Sequence, residues 1–168
     1  MGHKEHRADA PKSLQVAVLT VSTTRSLDTD EGGHWIAGRA RREGHEVVYH
    51  QVVPDDIEAI RTAVTHILVS PSPHAVIITG GTGISPQDVT IEAVRPLFAK
   101  ELPAFGVLFT QLSFEEVDSA AILSRAAAGI IGRSVVFCIP GSIKACQLAC
   151  KNLIFPELGH LIRHTSGN

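Results

Sequence analysis

Two aspartates and a run of glycines give this chain its clearest chemical signal. The segment VIITGGTGISPQD, residues 76–88, passes from apolar residues into a glycine-rich loop and ends at Asp88. The loop residues are Gly80, Gly81, Thr82 and Gly83. A second acidic stretch, VPDD, contains Asp55. Glycine loops offer backbone N–H groups to phosphate, and Mg²⁺ is bound by one or two carboxylates together with phosphate oxygens. The pattern is compatible with a phosphate and metal site of the kind used in nucleotidyl transfer.

Each of these residues also has a structural interpretation. Asp55 and Asp56 directly precede a predicted helix, and on spacing alone N-capping is the favoured interpretation of Asp55. The glycines alone fit an ordinary turn between a strand and a helix better than a phosphate loop. Asp88 fits a solvated loop as well as a metal site, and Arg125 fits an ion pair as well as a ligand contact. The loop is neither a dinucleotide-binding GxGxxG nor a P-loop.

Short β-branched runs alternate with helical patterns along the chain, and these elements must position the acids and the loop. Strands are predicted at 14–22, 45–53 and 74–79, and two more in AGIIGRSVVFCIPG, residues 128–141. Helices are predicted at 34–43, from residue 57, from Thr90 as N-cap to about 99 with a bend at Pro96, around Phe105–Leu112, near 118–127, and from Ser142 with an interruption at Pro156. Residues 23–33 are predicted as a loop.

This alternation predicts an α/β fold with three layers, a mainly parallel sheet with helices on both faces. The Gly-Arg-Ser turn at 132–134 is too short for a crossover, so one antiparallel strand is expected at an edge. Ligands of such folds bind at the carboxyl ends of the strands. The segments TVSTT, VPDD, TGGTG and PGS, the last being Pro140, Gly141 and Ser142, fall at these ends. We expect them to converge on one rim.

Composition limits the class of protein. The chain has 168 residues, 44% of them hydrophobic, and a formal net charge of −2. These values predict one domain at 13–168 after a disordered segment at 1–12, with no electrostatic preference for nucleic acid. The apolar runs are too short to span a membrane and no signal peptide is present, which predicts a cytoplasmic protein. The three cysteines, Cys138, Cys146 and Cys150, form no CxxC pair and are predicted to be buried hydrophobes.

Several motifs together resemble the MoaB/MogA family of molybdenum-cofactor biosynthesis proteins. They are TGGTGISPQDVTIEAVRPLF, KELPAFG, LSRAAAGIIGRSVVFCIPGS and PELGHL, and the likeness runs from about residue 14 to 162. LSFEE and PGSIKAC bring the chain closer to the MoaB branch. The resemblance implies a MogA-like fold, a homotrimer or homohexamer, and binding of molybdopterin, a pterin dithiolene with a phosphate.

The resemblance also implies an activity. Characterised members transfer AMP from Mg·ATP to molybdopterin, release pyrophosphate, and pass the product to a partner protein of cofactor biosynthesis that inserts molybdate. This chain is therefore expected to be a molybdopterin adenylyltransferase, with a non-catalytic molybdopterin-binding or carrier protein as the alternative. Matched by position, the catalytic and metal-binding acids are Asp55 and Asp88. The binding residues are Gly80, Gly81, Thr82, Gly83, Ser124, Arg125, Pro140, Gly141 and Ser142.

The chain departs from the family pattern in five places, one of them Gly32-Gly33, where the family commonly has Ser-Gly. Thr23 stands where the family often has aspartate, and Val107 where bacterial members have glutamate. Gln87 and Thr110 stand where basic residues are common. Each missing basic group weakens anion binding by about 1–3 kcal/mol if it contacts phosphate. The acids and glycines are kept, so molybdopterin binding is a safer expectation than catalytic turnover. The helix around Phe105 is expected to face either the core or another subunit.

Overall fold

A six-stranded mixed sheet forms the centre of the molecule. The computed structural model describes residues 13–167, so the segment predicted to be disordered, 1–12, lies outside the described residues. The strands are β1 Gln15–Val21, β2 Glu46–Val53, β3 Ala75–Thr79, β4 Lys100–Glu101, β5 Ala127–Ile131 and β6 Ser134–Ile139. Their order across the sheet is β2-β1-β3-β6-β5-β4.

Six α-helices connect or flank these strands in the described part of the chain. They are α1 Glu31–Arg42, α2 Ile57–Val69, α3 Thr90–Val94, α4 Pro103–Val117, α5 Ile143–Ala149 and α6 Phe155–Thr165. Short 3₁₀ segments, Arg95–Leu97 and Asp118–Leu123, follow α3 and α4. A π-helical turn, Cys150–Ile154, joins α5 to α6, so the interruption expected at Pro156 begins several residues earlier.

The pairing of the strands confirms the predicted fold class. Strands β2, β1, β3 and β6 are parallel, and β5 returns antiparallel to β6 through the tight turn at Gly132. The antiparallel strand is not outermost, because β4 pairs with it through Lys100 and Glu101. A two-residue strand has no sequence period, which is why the sequence did not predict β4.

Two hydrophobic clusters, one on each face of the sheet, give the three layers. Alternate residues of β1 point to opposite faces, as the two-residue period of a strand requires. Val16 and Val18 belong to the cluster that includes buried residues of α1, α4, α5 and α6. Ala17 and Leu19 belong to the cluster that includes buried residues of α2 and α3. The helices thus cover both faces, and the loops at the strand ends are left at the rim.

Three elements differ from the sequence prediction. The helix predicted near 118–127 is the 3₁₀ segment Asp118–Leu123, and residue 127 already belongs to β5. Helix α1 begins at Glu31, so Gly32 and Gly33 lie in its first turn rather than in a loop. The prediction that Thr90 caps a helix to residue 99 is wrong, because α3 is one short turn with Val89 at its N-cap. The Thr90 hydroxyl instead donates to the carbonyl oxygen of Gly80 at 2.8 Å.

The three cysteines are free and buried, as predicted. Burial raises the pKa of the Cys138 thiol to about 12, and it also raises the pKa of Cys146 and Cys150. These thiols are therefore protonated at neutral pH and are poor nucleophiles. Across residues 13–167, every helix is too short or too polar to cross a lipid bilayer.

Candidate functional site

Loops that follow four parallel strands meet at one edge of the sheet. Ser22 at the end of β1 donates its N–H to the carbonyl oxygen of Val53 at the end of β2, at 2.8 Å. Gly80 after β3 donates to the carbonyl oxygen of Ile139 at the end of β6, at 2.9 Å. The structure therefore brings the segments TVSTT, VPDD, TGGTG and PGS to one rim, as the topology predicts.

A cavity of about 320 Å³ opens at this rim. Five of the expected site residues line it, namely Asp55, Gly80, Gly81, Gly141 and Ser142. Thr20 and Ser22, from the segment TVSTT expected at the rim, also line it. The sequence interpretation did not include two further residues of its wall, Arg25 and Asp30. Carboxylates, hydroxyls, a guanidinium and glycine backbone are groups that suit a phosphate accompanied by a metal ion.

Asp55 is held in place by the loop that follows β1. Its Oδ2 accepts hydrogen bonds from the N–H and the hydroxyl of Thr23, both at 2.9 Å. Its Oδ1 lies 3.1 Å from the position that a Cβ on Gly81 would occupy, so this oxygen faces the glycine turn. Capping of α2 falls to Asp56, which accepts from the N–H of Ala59 at 2.8 Å. The interpretation of Asp55 as the cap is therefore wrong.

The first two glycines of the loop have backbone conformations that other residues rarely adopt. Gly80 and Gly81 have φ angles of +98° and +65°. A Cβ on Gly80 would overlap the carbonyl oxygen of Val21, and one on Gly81 would overlap the hydroxyl of Thr90. This turn needs two glycines, because two successive residues have positive φ angles and both backbones lie against other atoms with no room for a Cβ.

Thr82 and Gly83 continue the loop away from the cavity wall. The Thr82 hydroxyl is buried and has no hydrogen-bond partner. A Cβ on Gly83 would lie 2.6 Å from Oδ2 of Asp88. That same Oδ2 accepts from the N–H of Ser85 at 3.0 Å and from its hydroxyl at 2.8 Å. Asp88 thus closes the far end of the loop, and it does not line the cavity.

Arg125 holds the glycine loop from outside. Its Nε donates to the carbonyl oxygens of Thr82 and Gly83, at 2.9 and 3.1 Å. Its Nη1 lies 2.6 Å from Oε1 of Glu92. The hydrogen bond from Arg125 lowers the pKa of Glu92, and the same bond raises the pKa of Arg125. Of the two interpretations that the sequence left open for Arg125, the contacts agree with the ion pair.

Asp30 is a buried carboxylate in the cavity wall. Its Oδ2 accepts from the hydroxyl of Thr20 at 2.6 Å and contacts Nε2 of His50 at 2.8 Å. Its Oδ1 accepts from the N–H of Gly33 at 3.0 Å, which caps α1. Burial alone would raise the pKa of Asp30, but these hydrogen bonds outweigh it and lower the pKa. The spacing of Asp30 before Gly33 is an N-cap signal that could have identified it.

Ser142 caps α5 and also borders a second, larger depression. Its hydroxyl accepts from the N–H of Ala145 at 3.1 Å. The depression, about 540 Å³, lies between α4 and α5 and extends to Pro140 and Ser124. Lys144, Lys151 and Glu116 are among the residues that line it. The Lys151 ammonium lies 5.6 Å from the centroid of the Trp35 ring. Of the expected residues, Ser124, Pro140 and Ser142 line this depression, and Ser142 also lines the cavity at the rim. Thr82, Gly83, Asp88 and Arg125 line neither of the two.

The rim does not carry a complete protein cage for a metal ion. Within residues 13–167, no group of three or more His, Cys, Asp or Glu side chains is arranged to hold one. Mg²⁺ commonly uses one or two carboxylates and takes its other ligands from water and substrate phosphates. Asp55 fits that role better than Asp88, because Asp55 lies in the cavity wall.

Comparison with known proteins identifies the family. Residues 17–160 match the family model described as "Probable molybdopterin binding domain". The chain belongs to this molybdopterin-binding family. The resemblance to MoaB and MogA that the motifs indicated is confirmed.

Individual members of the family are similar over nearly the whole chain. The Molybdenum cofactor biosynthesis protein B of Bacillus subtilis is 43% identical over 164 residues, 97% of this chain and 96% of that protein. A crystal structure of a Molybdenum cofactor biosynthesis protein B has a TM-score of 0.91 and 42% identity, covering 95% of this chain and 100% of that one. The tungsten cofactor synthesizing protein MoaB from Pyrococcus furiosus has a TM-score of 0.84 and 39% identity, covering 93% and 99%.

Four of the departures from the family pattern lie in three different places. Thr23 lies beside the cavity, where it binds Asp55. Gln87 is exposed on the glycine loop next to Asp88. Val107, 66% exposed, and Thr110 lie on α4 around a third depression of about 530 Å³. Of these four residues, Thr23 alone contacts the carboxylate of Asp55.

Proposed function

We propose that this protein acts in molybdenum cofactor biosynthesis, where it binds molybdopterin and transfers AMP to it from Mg·ATP. Family membership and relatives named Molybdenum cofactor biosynthesis protein B support the role in the pathway. The observation that carries the adenylyl-transfer proposal is the cavity in which Asp55 lies against the glycine turn. A carboxylate next to a phosphate-binding loop is the arrangement that phosphoryl chemistry with a metal ion uses.

The residues of the cavity fit a magnesium ion and a phosphate. Oδ2 of Asp55 is occupied by Thr23, while Oδ1 faces Gly81 and is the oxygen placed to bind a cation. Bound Mg²⁺ would offset the negative charge that develops on the leaving pyrophosphate.

The reaction exchanges one phosphorus–oxygen bond for another. An oxygen of the molybdopterin phosphate forms a bond to the α-phosphorus of ATP, and the bond from that phosphorus to pyrophosphate breaks with its electron pair leaving on pyrophosphate. The chain contributes positioning, which can supply a large part of the acceleration. Arg25 and the backbone of Gly81 would bind phosphate oxygens, and Asp55 would hold the metal ion. The depression with Lys144 and Lys151 has room and charge for the bulk of a second anionic substrate.

A pyrophosphate-release assay with Asp55→Asn tests this assignment. We expect the unmodified protein to release pyrophosphate from Mg·ATP and molybdopterin, and Asp55→Asn to lower kcat by about 100-fold or more, since it removes a charge used in the transition state. Asp56→Asn is the matched control, because asparagine caps a helix as well as aspartate does. Pyrophosphate release unaffected by Asp55→Asn, or absent while a competent MogA is active, would exclude the proposal.

A non-catalytic molybdopterin carrier is the second candidate. The observation in its favour is that Gln87 and Thr110, where basic residues are common in the family, are neutral and exposed. A carrier binds molybdopterin without turnover, and its binding is insensitive to Asp88→Asn. If Asp88→Asn retains molybdopterin binding by calorimetry but loses pyrophosphate release, the protein is an enzyme and the carrier interpretation fails.

We also propose that the protein is a homo-oligomer, a trimer or a pair of trimers, that passes its product to another cofactor-biosynthesis protein. Exposed apolar side chains on α4 and the 3₁₀ segment after it support self-association. They are Val107, Leu108, Phe114, Val117, Ile122 and Leu123. Exposed apolar side chains concentrated on one element and its extension favour an interaction surface there.

A further inference from the structure

Two histidines on α6 form a close pair that the proposed reaction does not use. His160 and His164 are four residues apart, which places them on one face of the helix. Their ring centroids are 4.8 Å apart, and the two Nε2 atoms are separated by 3.0 Å. The His164 ring lies at the exposed end of the helix, whereas the His160 side chain is 18% exposed. Neither residue lines the cavity at the rim.

Glu157 determines which nitrogen of His160 carries the proton. Its Oε2 lies 3.2 Å from Nδ1 of His160. A carboxylate accepts hydrogen bonds, so Nδ1 carries the hydrogen and Nε2 of the neutral ring is left with its lone pair. Histidines that bind metals in proteins almost always donate the other ring N–H to a carboxylate, a backbone carbonyl or water, which fixes the ring orientation. Nε2 of His160 is therefore prepared to act as a ligand.

The separation of the two nitrogens matches the bite of a single metal ion. With metal–nitrogen bonds of about 2.0–2.1 Å, a separation of 3.0 Å corresponds to an angle of about 95° at the metal. That angle is near the right angle of square-planar and octahedral ions and smaller than the tetrahedral angle. Nitrogen ligands at right angles favour Cu²⁺ or Ni²⁺, and Cu²⁺ forms the stronger complexes.

We propose that His160 and His164 form a two-histidine site for a divalent transition-metal ion, with Cu²⁺ the best fit. Without metal, Nε2 of His164 donates its hydrogen to Nε2 of His160. When the metal binds, the His164 proton moves to Nδ1 of the same ring, both Nε2 lone pairs bind the ion, and water fills the other coordination positions. Glu157 acts as a positioning residue through His160.

Copper titration of the full-length protein tests the site. His3→Gln and His6→Gln are introduced into every sample so that these histidines do not add their own copper signal. We expect one Cu²⁺ per chain by calorimetry, and an electron paramagnetic resonance spectrum with couplings to two nitrogens. His164→Gln removes one nitrogen coupling and weakens binding by more than about tenfold, since even changes outside the ligand shell cost about 10–100-fold.

His66→Gln is the control, because His66 is an exposed histidine on α2. It should leave both the affinity and the nitrogen couplings unchanged. Glu157→Gln should weaken binding while preserving both couplings, a result that loss of a direct ligand would not produce. Unchanged copper binding in His164→Gln, or equal losses in His66→Gln, would overturn the proposal. The absence of a one-to-one copper complex would show that the pair is a hydrogen-bonded contact and nothing more.

Discussion

Thr23 determines the surroundings of the Asp55 carboxylate, because it replaces the aspartate that is common in the family at this position. An aspartate, common in the family at this position, would place a second carboxylate beside Asp55. Here the Thr23 hydroxyl and N–H both donate to Oδ2 of Asp55 at 2.9 Å. This fixes the carboxylate and leaves the single oxygen Oδ1 facing Gly81. The candidate site of this chain therefore carries one less negative charge beside Asp55 than an aspartate at this position would give it.

Gly80→Ala tests the tight turn at the level of one residue. The added Cβ would meet the carbonyl oxygen of Val21, and φ at this position is +98°. We expect a loss of about 2–4 kcal/mol in the free energy of unfolding, from backbone strain and overlap together. Urea denaturation measures this loss.

The control for that change is Gly38→Ala. Gly38 lies inside α1 and nothing lies within 4 Å of the place that its Cβ would take. Alanine there should raise the free energy of unfolding by about 0.5–1 kcal/mol, because glycine is a poor residue for a helix interior. Equal effects of the two substitutions would contradict the account of the turn.

Helix α1 is joined to the candidate site by its capping residue. Asp30 accepts the N–H of Gly33 and also binds Thr20 on β1 and His50 on β2. One carboxylate therefore fixes the start of a helix to two strands. Asp30 also lines the cavity, so helix α1 and the candidate site depend on the same carboxylate.

Asp30→Asn should cost on the order of 2 kcal/mol of stability at neutral pH, since it removes charge-assisted hydrogen bonds. The pKa of Asp30 in the folded protein is below its ordinary value of 3.8. Its stabilisation is therefore fully present above that value and is lost as the pH falls toward the folded pKa.

Denaturation curves of both proteins from about pH 7 to about pH 3 measure this dependence. The stability difference between the unmodified protein and Asp30→Asn should narrow at the acidic end. A difference that stays constant or grows as the pH falls would show that Asp30 is not stabilised as a carboxylate.

The long elements were predictable from the sequence and the short ones were not. Helix α2 was expected from residue 57, and it runs Ile57–Val69, because its apolar residues recur at helical spacing over more than three turns. The two-residue β4 and the single turn of α3 have no such period. Their positions depend on pairing with β5 and on the hydroxyl of Thr90, contacts that form only in the folded chain.

The site was predictable to a similar extent. Topology brought Asp55 and the glycine loop to one rim as expected. Arg25 and Asp30 were missed because they belong to a segment read as a plain loop, and Asp88 turned out to bind Ser85 at the loop's far end. Residue type and spacing indicate which strand end a side chain follows, but side-chain partners across the rim depend on tertiary packing.

On the scale of the whole molecule, the exposed apolar surface of α4 and its 3₁₀ extension should decide the assembly. Phe114 is 56% exposed on α4. We expect Phe114→Glu to convert the proposed oligomer to smaller species, because a buried unpaired carboxylate is costly in an interface. Analytical ultracentrifugation measures the change in mass.

Val69→Glu is the matched control for assembly. Val69 is 76% exposed at the end of α2, on the opposite face of the sheet from α4. This variant should have the same mass as the unmodified protein. A monomeric unmodified protein, or dissociation by Val69→Glu alone, would show that α4 is not the subunit interface.

Arg125 donates hydrogen bonds to three carbonyl oxygens, and these bonds also set the direction of the peptide dipoles in the glycine loop. The guanidinium faces the carbonyls of Thr82, Gly83 and, at 3.4 Å, Asp88. In a trans peptide the N–H of the next residue points the opposite way from the carbonyl. The positive ends of these dipoles are therefore aimed away from the arginine. Arg125 therefore orients backbone N–H groups toward the far side of the loop without itself lining the cavity.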